Sequence, residues 1–193
     1  MKVTSKEKDL NYNNMPDTET VDIVDEDNSV VGSTSVADAH DKKLLHRVAG
    51  VFVFDAAGFL YLQTGNKYGK IDVSVGGHVR QGETYEDAAK REMMEEIRLD
   101  VPVHQVATFL PKNARLGHYW GIFTATALDG WQFKATEEVS SLSKLDVATI
   151  KQMMHAEPDS FTHGFMNAMT ELIRAENVKK YQQKSKTILS QRQ

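Results

Sequence analysis

Glu92, Glu95 and Glu96 fall within six residues, directly after Arg91. On a helix, residues three and four apart share one side, so these three carboxylates project together and a hard cation can bridge them without backbone rearrangement. Carboxylates placed this close repel one another by roughly 0.2–0.5 kcal/mol per pair when exposed, and more when half buried. A solvated acidic face is the plain alternative for that run taken alone. Gly77, Glu83 and Arg91, at set intervals around it, favour the metal site. Oxygen ligands of this kind suit magnesium, which prefers near-octahedral geometry and keeps several waters, and manganese fits the same oxygens. A carboxylate-held cation and a positioned water are what cleavage of a diphosphate bond requires.

The elements that must carry these groups can be read from periodicity. A helix is predicted from Thr84, which can cap the amide of Asp87 three residues on. Its apolar stripe is Tyr85, Ala88, Ala89, Met93 and Ile97. Glu92 and Glu96 fall along that stripe and Glu95 beside Ala88, so the carboxylates border a sheet instead of facing open water. Upstream, residues 21–24 and 29–33 flank a turn at 25–28 and read as a hairpin. A short helix is expected over 36–45, and buried strands over 46–55 and 59–63. A glycine-containing loop at 65–70 and a short strand at 71–75 then lead into the helix. Further strands are predicted at 104–110, 118–127 and 131–134, and helices at 143–155 and 160–177. The result is an α/β chain, with a sheet between the glutamate helix and a C-terminal helix. Residues 1–20 read as a polar leader, 21–178 as one domain and 179–193 as a basic, glutamine-rich tail.

With 193 residues, 40% apolar content and no internal repeat, one domain with extensions is the expectation. The net charge of −4 argues against an extended nucleic-acid or anionic-membrane surface. Cysteine is absent, which excludes disulfides, thiolate metal sites and cysteine nucleophiles. No apolar run approaches the roughly 20 residues of a membrane span, and residues 1–20 lack a secretory signal's apolar centre, so a cytoplasmic protein is expected. His40, His46, His118, His155 and His163 show no sequence spacing that identifies a zinc site.

The run from Gly77 to Leu99, GHVRQGETYEDAAKREMMEEIRL, resembles the Nudix box. Gly77, Glu83, Arg91, Glu92, Met93, Glu95, Glu96 and Leu99 occupy its positions, and Arg98 stands where the pattern has its second glycine. The resemblance implies an α/β/α sandwich with a mixed sheet, the box helix on one face and a C-terminal helix on the other, here with an N-terminal β-hairpin. It implies a magnesium-dependent pyrophosphohydrolase acting on a nucleoside diphosphate derivative or related organic diphosphate, in a family whose members often dimerise. In that pattern Glu95 and Glu96 bind metal with the carbonyl of Gly76. Glu92 binds metal or acts as base, and Arg91 holds Glu83. A further acid from outside the box would be Glu137 or Glu138. His78 would touch phosphate or metal, or shape its loop, and Lys67, Lys70 and Arg80 are candidate phosphate contacts.

Residues 21–175 also resemble the isopentenyl-diphosphate isomerase branch, notably in SVGGHVRQGE. Those isomerases depend on a cysteine where this chain has Gly76, and on a glutamate pair in the strand where this chain has LGHYWGIF. Proton transfer across an allyl unit needs an acid and a base on opposite faces, so hydrolysis is the expected chemistry. A catalytically retired domain that binds nucleotide or regulates is the alternative that Arg98 motivates. Isomerisation without the cysteine is a third.

Overall fold

The computed structural model describes residues 19–64, 69–112, 117–136 and 138–190. Lys67, Glu137 and residues 1–18 of the leader lie outside them. Among the described residues, eight strands form one mixed sheet. Strand β1 (Thr20–Val24) and β2 (Val30–Ser35) make the expected hairpin, and α1 (Val36–Asp41) follows. The organising strand is β3 (His46–Phe54). It runs parallel to β7 (His118–Thr126) along its whole length. Its other edge pairs antiparallel with β5 (Val75–His78) and then with β4 (Leu60–Thr64). Strand β6 (Val103–Phe109) flanks β7, and β8 (Ser141–Leu145) flanks β4.

Alternation along β3 builds two separate cores, because successive side chains on a strand point to opposite faces. Ala49, Val51 and Val53 pack with Ala88, Ala89, Met93 and Ile97 of α2 (Tyr85–Ile97). Phe52 packs on the other face with Leu60, Leu62 and Ile122, against Phe165, Ala168, Met169 and Leu172 of α4 (His163–Ser190). The α/β/α layering is therefore as expected from the apolar stripes of the two helices.

Three local readings are corrected. The strand before the box helix is β5 at Val75–His78, whereas residues 71 and 72 make only isolated bridges. Residues 131–134 are not a strand; Trp131 instead packs edge-on against Tyr61 with ring centres 5.3 Å apart. The strand on that side is β8, and the helix expected from Ser143 begins at α3 (Val147–Ala156), capped by Asp146. Ser141, Ser143 and Leu145 alternate with Leu142 and Lys144, a pattern compatible with either periodicity until β4 supplies a partner edge.

Thr84 caps α2 as predicted: its hydroxyl accepts the Asp87 amide at 3.1 Å and donates to the Asp87 carboxylate at 2.6 Å. At the other end Arg98 sits in the left-handed region, φ 55 and ψ 40. That is the conformation the box glycine usually serves. Arg98 turns its guanidinium back to donate to the Met94 carbonyl at 3.1 Å, an unpartnered acceptor at the helix end. A left-handed non-glycine residue costs about 1 kcal/mol, and an exposed hydrogen bond returns part of it. Arg98→Gly should raise stability by about 0.5–1 kcal/mol in urea unfolding; a lowered midpoint would contradict this account of the helix end.

Candidate functional site

The sheet and α2 meet at β5, and there the glycines determine how close they come. A Cβ on Gly77 would overlap the Glu92 carboxylate, so glycine at this point lets the helix lay an acidic side chain directly on the strand. Glu92 and Glu96 are buried, at 7% and 5% exposure. Glu95 faces outward. One oxygen each from Glu92, Glu96 and Glu138 lies within 4.8 Å of the others. Glu138 is brought there by its loop, which Thr136 ties to α2 by donating to the Glu96 carbonyl at 2.8 Å.

Arg91 binds the acidic groups together. Its Nε and Nη2 donate to the two oxygens of Glu83, both at 2.9 Å, a fork geometry that fixes both planes. Nη1 donates to Glu92 at 2.6 Å and to Glu95 at 3.1 Å, and Nη2 also reaches the His78 carbonyl at 2.9 Å. Burial works against the Arg91 charge, but Glu83 and Glu92 hold its proton affinity above the ordinary value. Burial also opposes ionisation of Glu83, but the Arg91 hydrogen bond, the Arg80 amide and the charges of both arginines together outweigh it, leaving Glu83 below the usual carboxylate range. Glu92 goes the other way: burial pushes it up to about 7, against the pull of Arg91. Burial, then the neighbouring Glu92 charge, raises Glu96 well above the usual range.

Several contacts could not be anticipated along the chain. Gln63 donates to Glu96 at 2.5 Å from the middle of the sheet, 33 positions away in sequence. The Gly76 amide approaches the other Glu96 oxygen at 3.4 Å. Asp22 accepts from the Gly82 amide at 2.9 Å, and the Thr20 carbonyl accepts from Gln81, so β1 braces the turn before the box helix. Arg80 is exposed and donates to Glu19 at 2.9 Å, with Glu95 3.6 Å away. Its charge therefore lies among acids at the rim of the cluster. Lys70 is half-buried in the segment before β5.

His78 points away from the carboxylates and into a second group. Its ring, with those of His40, His46 and His118, offers nitrogens that all lie within 4.8 Å of one another. The spacing along the chain carries no sign of this. His46 and His118 are partners in the parallel β3–β7 register, His78 pairs with Val48 across β5, and α1 delivers His40.

A Nudix domain model matches residues 44–165, well over half of the chain. The chain belongs to the Nudix family. Its relatives divide between two descriptions. An isopentenyl-diphosphate Delta-isomerase of Serratia proteamaculans is 32% identical over 159 residues, covering 78% of this chain and 89% of that protein. An uncharacterized Nudix hydrolase of Yersinia pestis is 27% identical over 169 residues, covering 84% and 90%. Among solved structures, a Deinococcus radiodurans protein superposes with a TM-score of 0.62 at 25% identity, covering 72% of this chain and 90% of that one. A NUDIX-family hydrolase from Clostridium perfringens shares the fold, with a TM-score of 0.50 at 19% identity over 66% and 94%. Nudix proteins act on small-molecule diphosphates and generally use divalent metals. Among the described residues of this Nudix chain, no helix is long and apolar enough to cross a membrane.

The Glu92 shift has a measurable consequence. A carboxyl whose folded value lies above the unfolded 4.5 stabilises the fold when protonated, and that contribution is lost as pH rises through the folded value near 7. In chelator, the melting temperature should therefore fall between about pH 4.5 and 7.5, and Glu92→Gln should flatten that fall. A variant as steep as the parent would refute the assignment to Glu92.

Proposed function

We propose that this chain is a divalent-metal-dependent pyrophosphohydrolase that cleaves a nucleoside diphosphate derivative or related organic diphosphate by water attack at phosphorus. The convergence of Glu92, Glu96 and Glu138 carries the reading. Two of the three are buried carboxylates whose protons burial and mutual repulsion retain, a donor set that a hard cation satisfies. A magnesium ion held by these oxygens would neutralise charge on the diphosphate; manganese has the same ligand preference.

The residues of the chain divide the remaining work. Gln63 and the Gly76 amide orient Glu96, and the Gly76 carbonyl is assigned as a further ligand. Arg91 holds Glu83 and Glu92 in place and keeps Glu95 at the rim. Glu95 is assigned to proton acceptance or to a second cation, because it is the box carboxylate that remains open to water. Glu92, once ionised near neutral pH, can take the proton of an attacking water. Lys70 and Arg80 are assigned to the diphosphate side, whereas the His78 ring faces the other side of β5. Cytoplasmic localisation and homodimerisation belong to the same reading.

Isomerase activity is the second reading, favoured by the 32% identity to the Serratia proteamaculans enzyme. Against it stand Gly76, where those enzymes carry a cysteine, and His118, where they carry glutamate. Phosphate release across a diphosphate panel with magnesium or manganese should show turnover. Glu96→Gln should reduce it by more than the roughly 10–100-fold typical of losing an outer partner of a metal ligand. Turnover unaffected by that change would sink the assignment, and dimethylallyl diphosphate formed from isopentenyl diphosphate would establish the second reading instead. Arg98→Gly should leave activity within about threefold, since Arg98 is exposed at a helix end; activity appearing only in that variant would identify a retired domain.

A further inference from the structure

We infer that Thr136 is a positioning residue for the carboxylate cluster: it clamps the loop between β7 and β8 onto the last turn of α2, so that Glu138 stands beside Glu92 and Glu96 before a cation arrives. The inference rests on the carboxylate reading of the preceding subsection and adds to it a residue outside the box.

Thr136 uses its hydroxyl in both directions. Oγ1 donates to the Glu96 carbonyl at 2.8 Å and accepts from the Val139 amide at 3.1 Å. The Thr136 amide in turn donates to the Val139 carbonyl at 3.0 Å. Val139 is buried, at 3% exposure, which anchors the loop in the protein, while its neighbour Glu138 is exposed. The Glu96 carbonyl is among the last four of α2, which a helix leaves without an internal partner. A hydroxyl from another segment fills that vacancy. One loop thus meets Glu96 twice, with Thr136 at its backbone and Glu138 near its carboxylate. Gln63 grips the same side chain from the sheet, so Glu96 is fixed from two independent directions.

Such a clamp is needed because the three carboxylates repel one another. Burial and the Glu92 charge do most to raise Glu96, and the Glu138 charge adds to them. Among the described residues, no cation or hydrogen-bond donor holds the Glu138 carboxylate. An exposed acid on an untied loop would turn toward water, where its charge is solvated and the repulsion is screened. The bonds between Thr136 and Val139 hold the loop so that a Glu138 oxygen stays within 4.8 Å of both partners. A hard cation then meets three oxygens already gathered, and ordering of the loop is not a cost of binding.

Mn(II) binding to the full chain is followed by electron paramagnetic resonance, counting the binding that Glu96→Gln abolishes. Thr136→Val, which keeps the side-chain shape and removes the hydroxyl, should weaken that binding about tenfold, the lower end of what loss of an outer partner does to a metal site. Thr136→Ser keeps the donor and acceptor and should stay within about twofold of the parent, with melting curves showing that both variants fold. In a chain already carrying Glu138→Gln, the same Thr136→Val change should move the affinity by less than about twofold, because the carboxylate that Thr136 positions is gone. Equal weakening with and without Glu138 would mean that Thr136 only caps the helix, and overturns the inference. Mn(II) affinity unmoved by Thr136→Val, or lost as fully in Thr136→Ser, overturns it too. Absence of Glu96-dependent Mn(II) binding in the parent chain overturns the carboxylate reading and this inference together, whereas such binding without diphosphate turnover overturns the hydrolytic reading alone.

Discussion

The Arg91 guanidinium is the interaction on which the candidate site depends. It meets Glu83, Glu92, Glu95 and the His78 carbonyl within 3.1 Å, so one half-buried cation organises three acids and a strand end. Without it, half-buried Glu83 would keep the Arg80 amide at 2.9 Å, but buried Glu92 would lose the cation that offsets its desolvation. With it, the turn before the box helix, the helix itself and β5 become one unit. The N-terminal hairpin adds to that unit through Asp22 and Glu19, contacts that lie outside the box.

This arrangement divides the carboxylates by environment. Glu83 is held ionised by the bidentate arginine and can serve as an anchor. Glu92 and Glu96 are pushed toward their neutral forms by burial, so their charge is available to a cation that enters the cluster. Glu95, on the same helix, stays at the rim. Three glutamates within one and a half turns thus divide between a buried pair and a rim position, set by which side of α2 meets the sheet.

The β3–β7 register has an equally wide influence. Because β7 runs parallel to β3 from its first residue, His118 stands beside His46, and burial with the neighbouring rings pushes His118 down to about 2. A ring so disinclined to carry a proton is a lone-pair donor at any physiological pH. The same register places Phe123 toward α2 and Ile122 toward α4, so one pairing builds both cores and aligns the imidazoles.

Much of this was legible in the residues themselves. The box helix, its Thr84 cap, its buried face and the α/β/α layering follow from local periodicity, because a helix of 3.6 residues per turn places Ala88, Ala89, Met93 and Ile97 on one side wherever it is packed. The pairing of Arg91 with Glu83 was also within reach, as both lie in one short segment with a known pattern. Gln63 beneath Glu96 was not, nor was the β8 strand at Ser141–Leu145, whose alternation needs the edge of β4 to decide it. The four histidines show the limit most clearly. They are separated by 6, 32 and 40 positions, and their meeting depends on strand order, direction and register, which are properties of paired backbones. Local sequence determined the acidic helix and its chemistry, since those groups are neighbours along the chain; tertiary structure alone decided which distant side chains share a nitrogen-lined site.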